Sequence, residues 1–340
     1  MKIALLTGTY SAFSGIDRVV EQQAKQLLRA GHQVKILAFA ADLKPPRGAE
    51  LIILSAPTGA TALRVFRLIY PFLIWRWKKD LRFLADRDQV HVHQYPLTIL
   101  GWKAKQSFGA RYIFHDYGIP PVWSFPSLRD QLYMRLFHIL STKTILPADQ
   151  AISISHYLRR VLKKNTGLSS TVAYPTIDRH RFQPSVSGQM IRQRYGLNND
   201  SILLFVGRLV PYKGVHFLLE ILRLIQKTVP KAKLLVVGNP TFPAYFRRLQ
   251  NQAPPGVIFA GYVADQDLPA YYGACTTYVT ASSWEGYDLP IVEAQAVGKP
   301  VVAFRIGSHP EVIDQRGQLV EEGDIHAFAQ AVIDRLSLAK

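Results

Sequence analysis

The chain holds one cysteine, Cys275, among 340 residues, so no internal disulfide can form and a reducing compartment is expected. No apolar run reaches the roughly 18 residues that a spanning helix requires, so no transmembrane segment is expected. The opening MKIALLTGTY has neither a charged leader region nor a cleavage site ahead of it. It reads as a strand, and a cytoplasmic protein is expected. No RNP, helix-turn-helix or zinc-finger spacing occurs, so nucleic acid is not expected as a partner. Acidic residues are also few, 24 against 41 Lys and Arg, which leaves a formal net charge of +17.

That charge is uneven. Residues 1–185 carry 26 basic and 11 acidic side chains, a net +15, while residues 186–340 carry 15 and 13, a net +2. A basic first half points to an anionic surface or substrate. The length suggests two domains of about 150 to 180 residues, and 48% hydrophobic residues suffice for two cores. Each half reads as strands alternating with helices. Residues 2–7, a loop at SAFSG, a helix from Ile16 to Ala30 and a strand over 32–38 form a βαβ unit, which implies a parallel sheet. Strands are expected at 50–54, 89–93, 110–115 and 150–155, with helices over 61–85 (broken near Pro71), 128–140 and 156–164. Gln183–Asp200 is rich in Pro, Ser and Gly, so the domain boundary is placed there, giving domains 1–183 and 184–340. The second half repeats the series: strand 201–206, loop 207–214, helix 215–228, strand 232–237, helix 241–252, strand 257–260, helix 268–274, strands 276–280 and 300–304, and a final helix 326–338. Two doubly wound domains facing each other would bind ligands in the cleft outside their strand ends.

The chemistry concentrates in Ser282–Pro300, SSWEGYDLPIVEAQAVGKP. Pro290 suits a first helical turn, and Gly298 with Pro300 ends the helix. Glu285 then lies before a helix N-terminus and Glu293 one turn inside it. Such a terminus binds phosphate, and an acid on either side can take sugar hydroxyls. The second feature is Gly207-Arg208-Leu-Val-Pro-Tyr-Lys213-Gly214, a strand-end loop with two cations between glycines. It suits a diphosphate without metal, although taken alone it reads equally as a solvated turn. It lacks P-loop spacing.

Together these two segments resemble the family-4 retaining glycosyltransferases of the GT-B fold. Ser14-Gly15-Ile-Asp-Arg-Val-Val resembles the family's glycine loop and first helix. Gln89-Val-His-Val-His, Ile152-Ser-Ile-Ser-His, Ile177-Asp178 through Pro184, Gly261-Tyr262-Val263 and His309-Pro310-Glu311-Val312 follow the family in order and spacing. The resemblance implies an α/β GT-B fold of two doubly wound Rossmann-like domains around a central cleft, the first for acceptor and the second for nucleotide sugar. It implies that Glu285 holds donor-sugar hydroxyls and that Gly286, Tyr287, Asp288 and Leu289 meet sugar and phosphate. Glu293 would bind ribose, Arg208 and Lys213 the departing diphosphate, and Tyr262 and Val263 would border the base. Gly15 would let the first-domain loop approach the diphosphate, and His115 would touch the donor sugar. No cofactor or metal is implied; the partners are a nucleotide-sugar donor and a lipid-linked or glycan acceptor.

Other readings stand beside these. Glu293 also fits as an ordinary first-turn acid, and His115 as a histidine satisfied within its sheet. His91 and His93 share a strand face but lack a third metal ligand. An epimerase of the same fold, or a non-catalytic sugar-nucleotide binder, would use the same donor residues. Three positions depart from the family pattern. Tyr174-Pro175-Thr176 replaces Pro-Asn-Gly, Asp288 stands where glycine is common, and Lys340 follows soon after the last helix. Asp288 is expected to cap its helix and to add negative charge near the diphosphate. Finally, Thr61–Arg87 interleaves Trp75, Trp77 and aliphatic residues with Arg64, Arg67, Arg76, Lys78, Lys79 and Arg82. Such a segment suits an anionic membrane interface, on the cytoplasmic face, with Leu128–Leu140 adding to it; it also suits a helix packed on the sheet.

Overall fold

The computed structural model describes residues 1–11, 15–125 and 127–338. They form two compact units, one of Met1–Val122 with Ser127–Pro175, the other of Trp123–Pro126 with Thr176–Lys340. The division falls after Pro175 rather than after Gln183. The Pro/Ser/Gly-rich stretch that reads as a linker contributes Ile191 and Leu197 to the second unit's core, beside Phe182, Ile202, Tyr272 and Tyr278.

In the first unit β1 (Lys2–Thr7) leads to α1 (Gly15–Arg29), β2 (Gln33–Ala38) and β3 (Ala49–Ile53). α2 (Ala60–Ile69) and α3 (Ile74–Leu81) follow, separated by a 3-10 turn at Tyr70–Phe72 that contains Pro71. Then come β4 (Gln89–Val92), α4 (Thr98–Phe108), β5 (Arg111–Asp116), α5 (Leu128–Ile145), β6 (Gln150–Ser153), α6 (His156–Thr166) and β7 (Thr171–Val172). The seven strands run parallel in the order β3-β2-β1-β4-β5-β6-β7. The order reverses between β1 and β4, so loops after these strands diverge and leave a crevice at the carboxyl edge. The loop after β1 is tied to its helix by Asp17, which is fully buried. Its carboxylate accepts from the hydroxyls of Thr7 (3.1 Å), Thr9 (2.7 Å) and Ser11 (3.1 Å) and from the Ser11 N–H (3.0 Å). The glycine loop's Ser14 lies outside the described residues, and Gly15 is the first residue of α1.

The second unit begins with α7 (Gln189–Arg194) and β8 (Ser201–Val206). α8 (Val215–Gln226), β9 (Ala232–Val237), α9 (Pro243–Gln252), β10 (Val257–Gly261), α10 (Leu268–Ala274), β11 (Thr277–Thr280) and α11 (Leu289–Ala296) come next. β12 (Val301–Phe304), α12 (His309–Val312), β13 (Gln318–Val320) and α13 (Ile325–Leu338) complete it. Its six strands are parallel in the order β10-β9-β8-β11-β12-β13. Near-continuous apolar strands such as SILLFV and AKLLVV suit a sheet covered on both faces. α8 presents Leu218, Leu219, Leu222 and Ile225 to that sheet, where they meet Phe328 and Val332 of α13. Each such side chain contributes about 1.5–3 kcal/mol on burial. Here the order reverses between β8 and β11, so the loops after β8, β11 and β12 share one edge.

Candidate functional site

The loop after β8 turns through a short 3-10 segment, Pro211–Lys213, and ends at Gly214 with φ +68°. A Cβ at Gly214 would lie 1.8 Å from the carbonyl oxygen of Ala281, so only glycine lets this loop touch the one after β11. The Ser283 N–H donates to the Tyr212 carbonyl at 2.8 Å and fixes the two loops in register. The Lys213 ammonium then meets Glu285 Oε1 at 2.5 Å, both side chains largely buried. Burial alone would lower the Lys213 pKa, but the carboxylates of Glu285 and Asp288 outweigh it and hold the ammonium above its ordinary value. Burial pushes the Glu285 carboxyl upward, against the pull of Lys213. Arg208 is exposed, with its guanidinium donating to the Tyr212 hydroxyl at 2.8 Å.

Asp288 does not cap α11 with its side chain. It is 2% exposed, and its Oδ2 lies 3.2 Å from Nε2 of the fully buried His309. His309 Nδ1 donates to the Phe304 carbonyl at 2.7 Å. Both ring nitrogens thus face oxygen atoms. Burial works to raise the Asp288 pKa, but Lys213 and His309 bring it below the usual carboxylate value. The Asp288 Oδ2 is therefore paired with His309. Sequence reasoning grouped His309 with a loop but gave it no role; nothing in linear spacing links residues 288 and 309. Glu285, Asp288 and His309 each bring a ligating atom within 4.8 Å of the others, the spacing of a cation site among the described residues. One of the three, Glu285, pairs with the Lys213 ammonium.

Glu293 lies on the second turn of α11, 1% exposed, and accepts from the Tyr272 hydroxyl at 2.7 Å. Pro290 occupies the first helical turn. Gly286 is buried in the loop between Glu285 and α11, Tyr287 is half-buried there, and Leu289 opens the helix. Tyr262 and Val263 follow β10. Tyr262 is 44% exposed, whereas Val263 packs on the core around Tyr271. The second unit therefore pairs Lys213 with Glu285 and brings Asp288 within 4.8 Å of Glu285, with Arg208 on the same loop as Lys213 and Glu293 on the adjoining helix.

His115 belongs to the first unit, at the end of β5. His91 Nε2 donates to Gln89 Oε1 at 3.2 Å, so its Nδ1 accepts, from His115 Nε2 at 2.9 Å and Gln23 Nε2 at 3.1 Å. The His93 ring stacks on His115 at 4.3 Å, and its Nδ1 meets the Tyr117 hydroxyl at 2.8 Å. Burial lowers all three pKa values, that of His91 to about 4. His91 and His93 thus find a third histidine, but as a neutral hydrogen-bonded stack. The Nε2 side of His115 is satisfied within its own sheet, as the alternative reading allowed.

Comparison with known proteins extends these observations. Residues 13–181 match Glycosyltransferase Family 4, and residues 200–337 match Glycosyl transferases group 1. A GDP-mannose-dependent alpha-(1-6)-phosphatidylinositol monomannoside mannosyltransferase of Mycolicibacterium smegmatis is 27% identical over 256 residues, 71% of this chain and 65% of that protein. The match thus spans just under two thirds of that relative's length. O-antigen chain mannosyltransferase B of Escherichia coli is 31% identical over 150 residues, 43% of this chain and 39% of that protein. Sucrose-phosphate synthase of Thermosynechococcus elongatus superposes with a TM-score of 0.84 at 22% identity, covering 99% of this chain and 90% of that structure, which establishes the GT-B fold. With two parallel-sheet Rossmann-like units and both halves matched, the chain belongs to the group 1, family 4 glycosyltransferases.

Proposed function

We propose that the chain moves a hexose, with retention and without metal, from a nucleoside-diphosphate sugar to a hydroxyl of a lipid-linked or glycan acceptor. The observation that carries this reading is the Lys213–Glu285 pair at the strand ends where the second sheet reverses. Glu285 offers a carboxylate to sugar hydroxyls, and Lys213 with the Arg208 fork offers positive charge to a departing diphosphate. The orphan N–H groups opening α11 add to that field. Glu293, which accepts from Tyr272, takes the ribose hydroxyls in this reading. As the anomeric C–O bond to phosphate breaks, the sugar becomes oxocarbenium-like. The acceptor hydroxyl attacks the same face and its proton passes to the leaving phosphate, so no protein nucleophile is required. Lys213 fills the countercharge role that a divalent ion would otherwise take. Both curated relatives described above are mannosyltransferases by name and one names GDP-mannose, which makes GDP-mannose the first donor to test.

The acceptor side of the proposal rests on the first unit's surface. Phe66, Tyr70, Trp77 and Leu81 are buried, while Val65, Ile69, Phe72, Ile74 and Trp75 are exposed, Trp75 at 68%. Arg64 lies over the Tyr133 ring at 4.6 Å and meets Asp130 at 2.5 Å, which sets α2 beside α5. α5 in turn exposes Leu128, Leu132, Leu136 and Ile139 along one stripe. An apolar face edged by arginine and lysine suits peripheral attachment to anionic lipid on the cytoplasmic side, with about 1 kcal/mol from each basic residue near the surface. Among the described residues no helix is long and apolar enough to cross a membrane. Thermal-shift screening against GDP-, UDP- and ADP-sugars tests the donor reading. Stabilisation by one class is expected, and no shift with any of them would count against it.

A further inference from the structure

We propose that the Gly307–Ser308–His309 turn is part of the machinery that sets the donor site, with His309 a positioning residue that acts through Asp288. The inference rests on the donor-site reading of Lys213 and Glu285. Three contacts carry it. The Ser308 N–H donates to the Glu285 carbonyl at 3.3 Å. Gly307 has φ +49°, and a Cβ there would lie 2.3 Å from the Glu285 carbonyl oxygen and 3.2 Å from its nitrogen. His309, anchored to the end of β12 through the Phe304 carbonyl, holds the Asp288 carboxylate. The short loop from Glu285 to Asp288 is thus gripped at both ends by one turn, by its backbone at 285 and by its side chain at 288.

The chemistry of this grip follows from counting charges. Asp288 is a second buried carboxylate close enough to act on Lys213, so it competes with Glu285 for the ammonium. His309 occupies Asp288 Oδ2 at 3.2 Å, which leaves Lys213 on Glu285. Without His309, Asp288 would be a buried carboxylate without that hydrogen bond, and Lys213, whose charge already acts on it, would be drawn to it. The donor-sugar carboxylate would then lose its partner, although the substituted residue touches no substrate.

The test compares His309→Asn, Asp288→Asn and the double variant in steady-state transfer, nucleoside-diphosphate affinity and thermal unfolding. His309→Asn should lower kcat about tenfold while the nucleoside-diphosphate Kd rises by about threefold or less, because Arg208, Glu293 and Tyr272 are untouched and only the Lys213 contribution is disturbed. Adding Asp288→Asn should restore kcat to within about threefold of Asp288→Asn alone, since the competing anion is gone. A merely structural histidine would give the opposite, with the second substitution adding to the loss. Wild-type kcat in His309→Asn, or a double variant no better than the single, overturns the inference. If His309→Asn does not fold, a folded and active double variant supports it and an inactive one refutes it. Failure of the wild-type protein to use any nucleotide sugar appears before any substitution, and it refutes the donor-site reading together with the inference.

Discussion

The Lys213 ammonium and the Glu285 carboxylate meet at 2.5 Å although 72 residues separate them, because Gly214 lets the loop after β8 rest on the Ala281 carbonyl. Breaking such a pair from one side strands a charge in a buried place. Glu285→Gln should lower stability by about 3 kcal/mol or less, since both side chains keep some exposure, and should reduce transfer at least about tenfold. The Lys213→Met/Glu285→Gln double variant should recover most of the melting temperature and none of the transfer. Recovery of both together would assign the pair to folding alone.

A second expectation concerns Tyr272, whose hydroxyl donates to Glu293 at 2.7 Å. Hydrogen bonds to charged groups contribute about 1.5–3 kcal/mol, so Tyr272→Phe should weaken nucleotide binding by about tenfold or more. The hydroxyl is remote from the breaking bond in this account, so kcat at saturating donor should hold. Calorimetry on the nucleotide, set beside kcat, separates these effects. An unchanged Kd would remove Glu293 from the ribose.

The histidine stack predicts acid sensitivity. His91 titrates at about 4 in the folded chain against an ordinary 6.5, because burial, then Arg111, disfavours its charged form. The unfolded chain therefore binds the extra proton between those values. The stabilisation is complete above about pH 6.5 and is lost as the pH falls toward 4, with a slope of about 1.4 kcal/mol per pH unit for one proton. Asp116, raised by burial to about 6, works in the opposite sense below that pH. Comparison with His91→Asn cancels this common contribution. Urea unfolding of the variant should show a shallower acid limb by about one proton, and parallel limbs would contradict the assignment.

The membrane reading makes its own demand. Co-sedimentation with anionic liposomes at low salt should exceed that with neutral ones, and Phe72→Ser/Trp75→Ser should lower it severalfold without changing the melting temperature, because both side chains are exposed. Equal recovery on both lipids would leave the exposed apolar face unexplained by lipid.

Much of this was legible in the residues. The alternation of apolar strands with amphipathic helices announced two parallel sheets, and Pro290 with Gly298 bounded α11 within a residue or two. α4 escaped because its first four residues are all buried, so its first turn shows no polar face, and the division falls earlier than the expected boundary because turn-forming residues hide Ile191 and Leu197. His91 and His93 could be read as facing one way from their spacing of two. Their partner His115 depends on β4 pairing with β5, which only the sheet supplies. The same holds for Asp288 and His309, brought together by the adjacency of β11 and β12. Local pattern fixes elements, whereas contacts between loops depend on strand order.

The central claim is transfer from a nucleotide sugar by the Lys213–Glu285 site without metal. Its most direct measurement incubates wild-type and Glu285→Gln protein with labelled GDP-mannose, UDP-glucose or ADP-glucose, a membrane lipid extract and excess chelator, and follows label in the lipid fraction and the anomeric configuration of the product. The account predicts transfer from one of these donors by the wild-type protein, with retained configuration, undiminished by chelator and nearly abolished in the variant. Inverted product, a strict requirement for a divalent ion, or equal transfer by the variant would contradict it.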